Sequence, residues 1–181
     1  TFLIIMLCLF LSKTALPETY KIDRQETIIN KEGIEVPLVY WSVGGGSSSS
    51  LKTVLKNKNL DITNATKIVF NNDLTQTKEH DKEVDISRDK DGSVIAYVNE
   101  DTLYIEYEGI LSFNANSFDT FYDLDTITSI TGLEYVDTSS VTDMSHMFNN
   151  MTSLTTLDLS NFDTSNVTNM SHMFYNMKSL T

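Results

Sequence analysis

An α/β repeat solenoid, with one short strand and one helical segment per unit behind a β-rich N-terminal capping region, is the fold class this sequence predicts. Three observations predict it. A 12-residue phrase is written twice, 26 residues apart, as DTSSVTDMSHMF at 137–148 and DTSNVTNMSHMF at 163–174. Within each unit the apolar residues switch from a period of two to a spacing of three and four. Ahead of the units, β-prone runs alternate with turn signals.

Residues 137–155 and 163–181 share 15 of 19 positions. The four exchanges are Ser140/Asn166, Asp143/Asn169, Asn149/Tyr175 and Thr152/Lys178, so every apolar position is kept. An atypical first copy precedes them, because residues 127–136 resemble 151–159, with Glu134 in the place of Asp158. In 156–160 the alternation predicts a strand, with Leu157 and Leu159 turned inward and Thr156, Asp158 and Ser160 outward. The helical spacing covers Val141, Met144, Met147, Phe148, Met151 and Leu154. It returns as Val167, Met170, Met173, Phe174, Met177 and Leu180. Phe162 joins this expected repeat core, and Ser165 or Thr164 can cap the helical segment. Strand, corner, helical segment, corner is a leucine-rich-repeat type of unit. One unit buries too little apolar surface to order itself, so units must stack. The repeats are assigned to 124–181. They stop inside a unit, so further repeats are expected to follow, and the open end should show Phe174 and the Met177 face.

The lead-in reads element by element. Residues 16–43 are extended, with β-prone runs at 27–29 and 36–41, and Pro37 favours an edge strand. Residues 44–50, GGGSSSS, have a linker's composition. Residues 51–123 form the β-rich lead-in and cap: a short helix near 51–60, a strand at 65–70, and strands at 94–98 and 103–107. Asn99, Glu100 and Asp101 between the last two suggest a hairpin. Ser87, Asp89, Asp91 and Gly92 partly match a calcium loop, but Val98 stands where its bidentate glutamate belongs, so a plain turn is expected.

The chain has 181 residues, and its net charge of −12 argues against nucleic acid and anionic lipid as partners. Residues 2–11, FLIIMLCLFL, are too short to cross a bilayer and suit the apolar part of a signal peptide, assigned to 1–15. No methionine or basic stretch precedes them, so a truncated start is expected. Cys8, the single cysteine, lies inside that segment and would leave with it. Residues 16–20, LPETY, differ from a wall-anchoring signal at Tyr20 and in lacking a following apolar stretch. No membrane insertion is expected beyond the signal peptide.

Ser145 beside His146, and Ser171 beside His172, invite a catalytic or metal reading. Two histidines with no cysteine or fixed carboxylate make a poor ligand set. Repetition alone accounts for them, and His80 lies in a charged loop. No catalytic residue, metal or cofactor is therefore assigned. The outward residues Glu134, Thr156, Asp158 and Ser160 are the candidate partner-binding positions.

Residues 154–181, LTTLDLSNFDTSNVTNMSHMFYNMKSLT, resemble the repeat of BspA-like leucine-rich-repeat bacterial surface proteins. The lead-in segments 67–70, 84–87, 91–97 and 103–105 fit the pattern that precedes such arrays, so the resemblance covers about 65–181. Met151 and Met177 stand where many such repeats carry cysteine. The resemblance implies a secreted or surface-displayed protein that adheres to host or microbial proteins and has no enzymatic activity in the array. The alternatives are a targeting module of a secreted enzyme whose catalytic domain lies beyond residue 181, or a structural surface stalk.

Overall fold

The computed structural model describes residues 27–29, 32–46, 48–73 and 82–181. The expected signal segment 1–15 with Cys8, the LPETY run and His80 lie outside the described residues. The β-prone runs form nine strands among the described residues. They are β1 (Thr27–Ile29), β2 (Glu35–Tyr40), β3 (Lys67–Asn71), β4 (Glu83–Asp85), β5 (Val94–Asn99), β6 (Thr102–Tyr107), β7 (Ile110–Ser112), β8 (Ser129–Thr131) and β9 (Val136–Asp137). One sheet has the order β1-β2-β7-β9 and the other β4-β5-β6-β3-β8.

Both sheets are mixed. β1 pairs antiparallel with β2, while β2–β7 and β7–β9 are parallel. In the second sheet β4–β5 and β5–β6 are antiparallel, and β3 runs parallel to both β6 and β8. The expected hairpin is β5–β6, closed with Glu100 in the left-handed region at φ 54°. Pro37 is not on an outer strand: β2 lies between β1 and β7, and its pairing to β7 begins one residue later, at Leu38. Two glycines let neighbouring strands close up. A Cβ on Gly109 would lie 2.1 Å from the Pro37 carbonyl oxygen, and one on Gly132 would lie 2.0 Å from that of Phe70. Both have positive φ, so only glycine fits.

The two sheets share one buried core. Trp41, fully buried, stacks on Phe113 at 4.6 Å and meets Phe70 edge-on at 5.7 Å. Phe121 completes the cluster. One short helix, α1 (Leu51–Asn57), buries Leu51, Val54 and Leu55 against it and is capped by Ser50, whose side chain accepts from the Thr53 N–H.

The fold class is therefore not the expected α/β leucine-rich-repeat solenoid. Among the described residues the molecule is mostly β, with two mixed sheets, and its one α-helix lies outside the repeats. The helical segments fail for a backbone reason. His146 and Asn150 stand at φ 55° and 65°, and His172 and Asn176 at 57° and 61°. An α-helix needs negative φ at every residue, so a left-handed residue every four positions ends it at each turn. The cap expected at Thr164 or Ser165 is instead an Asx turn in which Asp163 accepts from the Ser165 N–H, and Asp143 and Asn169 make the same turn with the N–H groups of Ser145 and Ser171. The expected strand at 156–160 shrinks to one parallel bridge, Thr156 to Ser129.

Candidate binding surface

The repeated phrase builds a column of turns, each held to the next by backbone. Met147 and Asn149 N–H donate three residues back, to Met144 and His146, closing the turns. The alternate N–H groups point along the column. Met144, His146, Phe148 and Asn150 donate to the carbonyls of Asn169, Ser171, Met173 and Tyr175 at 2.9–3.0 Å. The turn ahead obeys the same rule: Ser117, Asp119, Phe121 and Asp123 donate to Asp143, Ser145, Met147 and Asn149. Residues 115–124 are thus a first copy that the alignment of sequence missed. Of its residues only Phe121 is shared with both later copies. The other signal was residue type at the left-handed places, Asp119 (φ 60°) and Asp123 (φ 61°) where the later copies have histidine and asparagine.

Threonines run the opposite way. Thr142 N–H and Oγ1 both donate to the Ala115 carbonyl, at 2.7 and 3.0 Å, and Thr168 repeats this on Thr142 at 2.8 and 3.1 Å. A second series joins Thr128 to Thr66, Thr155 to Thr128 and Thr181 to Thr155. This corrects the expected alignment of the short copy. Ser129 faces Thr156, so Thr131, not Glu134, is the counterpart of Asp158.

Side chains stack in the same register. Phe121, Phe148 and Phe174 form a pile with centroids 5.2 and 6.0 Å apart and planes within 10° and 4°. His146 and His172 stack at 4.9 Å, with Phe118 edge-on to the first and Tyr175 edge-on to the second. Asn176 donates to Asn150 at 2.7 Å. The histidines therefore serve the turn's backbone and the stack. Burial lifts the Asp119 carboxyl above its ordinary value, with His146 pulling the other way. Burial also pushes Asp143 up, but bonds from Ser145 and Asn169 and the charge of His146 outweigh it and hold Asp143 low. Among the described residues no group of three or more His, Cys, Asp or Glu side chains is placed to hold a metal ion. In the loop once compared with a calcium site, the Asp85 carboxylate accepts from the N–H groups of Ser87 and Gly92.

Of the expected core, Val141, Met144, Met147, Phe148, Met151, Leu154 and Met173 are buried. Leu157, Leu159, Phe162, Val167 and Met177 are half-buried against it, and Met170, Phe174 and Leu180 are exposed. Thr156, Asp158 and Ser160 are all exposed, with Leu157 and Leu159 turned inward between them. Asp158 accepts from the Ser160 N–H at 2.9 Å, which keeps its carboxylate ionised to lower pH than usual. Glu134 is exposed too, on a 3-10 turn (Leu133–Tyr135) rather than a strand. A separate surface depression of about 330 Å³ is lined by Ser42, Val54, Asn57, Lys58, Ser87, Arg88 and Lys90, and Arg88 there lies 4.0 Å over the Tyr40 ring.

The Gly/Ser run expected as a linker lies on the first turn. Gly45 and Gly46 N–H donate to the Phe118 carbonyl, Leu51 N–H to Thr120, and Lys52 Nζ to the Asp123 carbonyl at 2.7 Å. Gly44, at φ 105°, comes so close that a Cβ would lie 3.0 Å from the Asn116 carbonyl oxygen. Among the described residues no helix is long and apolar enough to cross a membrane. No curated protein and no solved structure matches the chain. Residues 114–181, the span of the three stacked turns, match a family described as "Mycoplasma protein of unknown function, DUF285".

Proposed function

We propose that this chain is a secreted or cell-surface binding protein that contacts extracellular host or microbial proteins through an exposed, acidic edge of its repeats and carries out no chemistry there. The observation that carries the reading is the edge at 156–160. Its polar side chains Thr156, Asp158 and Ser160 all face solvent while the leucines between them anchor it to the core. Glu134, exposed on its own 3-10 turn, and the net charge of −12 add to the negative field, which favours a basic patch on the partner and speeds encounter with it. Repetition of the edge would add avidity. The apolar run at 2–11 supports export.

The test is binding of the full chain to immobilised fibronectin and collagen at low and physiological salt. Saturable binding should fall about tenfold or more in the Glu134→Lys, Asp158→Lys double variant, and should weaken with salt. Equal binding by the double variant would assign this edge to solvation only.

A further inference from the structure

The column of turns has a direction. At one end the carbonyls of Phe118 and Thr120 are taken by the chain itself, through Gly45, Gly46 and Leu51. At the other end the third turn carries the groups that the second turn uses on the third. The N–H groups of Met170, His172, Phe174 and Asn176 correspond to those of Met144, His146, Phe148 and Asn150, and have no acceptor among the described residues. The carbonyls of Thr168 and Thr181 correspond to those of Thr142 and Thr155, which each receive a threonine N–H and hydroxyl, and they likewise receive no bond there. Beside these groups stand the exposed side chains Met170, Phe174 and Leu180, at 44%, 47% and 36% exposure. Their counterparts Met144, Phe148 and Leu154 are fully buried by the unit that follows.

We propose that this edge is a one-way docking surface for a further unit of the same 26-residue repeat. Independent of the reading above, the assignment follows from what the occupant must present. It needs carbonyls at four alternate residues, a threonine immediately before the first of them matched to the Thr168 carbonyl, a second matched to Thr181, and a flat aromatic to continue the phenylalanine pile. The phrase V-T-N-M-S-H-M-F-Y-N-M-K-S-L-T at 167–181 presents this set to the second turn. A second intact copy of the chain does not. Its equivalent open edge is also rich in donors, so donors would face donors, and its carbonyl edge is already bonded to residues 45–51. This is edge addition in which both backbone polarity and side-chain register select the partner.

The experiment appends residues 156–181 a second time after Thr181, which continues the register, and follows amide exchange in the full chain. The amides of Met170, His172, Phe174 and Asn176 should slow by about 100-fold or more, and the melting temperature should rise by several degrees. An appended segment of the same composition in scrambled order should leave all four unchanged. Equal exchange with and without the in-register unit overturns the proposal, as does equal protection by the scrambled one. Sedimentation of the unextended chain provides a second readout. It should show no self-association through this edge, and a dimer abolished by Phe174→Asp would overturn the choice of occupant.

Discussion

The two ends of the column are built from the same backbone pattern and have opposite surroundings. At the covered end, the Gly/Ser run and α1 satisfy the carbonyls of Phe118, Thr120 and Asp123, and Phe121 packs into the Trp41 and Phe113 cluster. At the bare end, the third turn leaves Phe174 and Met170 facing solvent, although the almost identical second turn buries Phe148 and Met144. The difference teaches that the phrase contributes no fixed amount of stability. Each unit is stabilised by what lies on its faces, as in arrays governed by nearest neighbours.

The phenylalanine pile offers the largest contrast. Phe148 is fully buried between two other rings, so Phe148→Ala should cost about 3–5 kcal/mol. Phe174 is stacked on one side only and 47% exposed, so Phe174→Ala should cost about 1 kcal/mol or less. Urea unfolding of both variants measures the ratio. Equal losses would mean that the bare end is as well packed as the covered one, and the comparison would collapse.

A smaller effect separates backbone from side chain at the left-handed places. His146 has φ 55°, where a β-branched residue is strained and asparagine is tolerated. His146→Val should destabilise by about 1–2 kcal/mol, and His146→Asn by clearly less. The same pair at His172 should show the same order, since its φ is 57°. If valine and asparagine proved equivalent at both places, the histidines would owe their presence to their rings, and the stacked pair would need another explanation.

These residues also show what the sequence could reveal. Identity at 15 of 19 positions disclosed the unit and its apolar positions, because packing in register demands repetition. It misled about the helix. Apolar spacing of three and four arises in any chain that turns every three residues, and only the histidine and asparagine types hinted at left-handed φ. The copy at 115–124 escaped because it keeps one phenylalanine in common with both later copies and meets the cap with side chains of its own. The parallel pairing of β3 with β6 and β8 joins residues about 35 and 60 apart, with no local signal to announce it. In the Gly/Ser run, composition suggested slack where glycine is needed for close approach. The exposed alternation at 156–160 was legible because it is local. The mistaken pairing of Glu134 with Asp158 was not correctable without the bridge at Thr156.

The finest test uses two aspartates of neighbouring turns. Asp119, next to the cap, has its carboxyl raised by burial, whereas Asp143, one turn further out, has its carboxyl lowered by the bonds from Ser145 and Asn169. The signs then oppose. A group with a raised folded value contributes its stability below the ordinary carboxylate value and loses it as pH rises through the raised one. Asp119→Asn should therefore stabilise at pH 7, the left-handed φ of 60° being acceptable to asparagine. A group with a lowered value contributes above the ordinary value and loses that contribution as pH falls through the lowered one. Asp143→Asn should destabilise at pH 7, by less than about 1 kcal/mol because Asp143 is partly exposed. Thermal melts at pH 7 and pH 3 check the pair. The gain from Asp119→Asn should vanish at pH 3, and the loss from Asp143→Asn should shrink. Shifts of one sign at both positions would show that the cap does not set the electrostatics of the first turn, and that the two carboxylates share a single environment along the column.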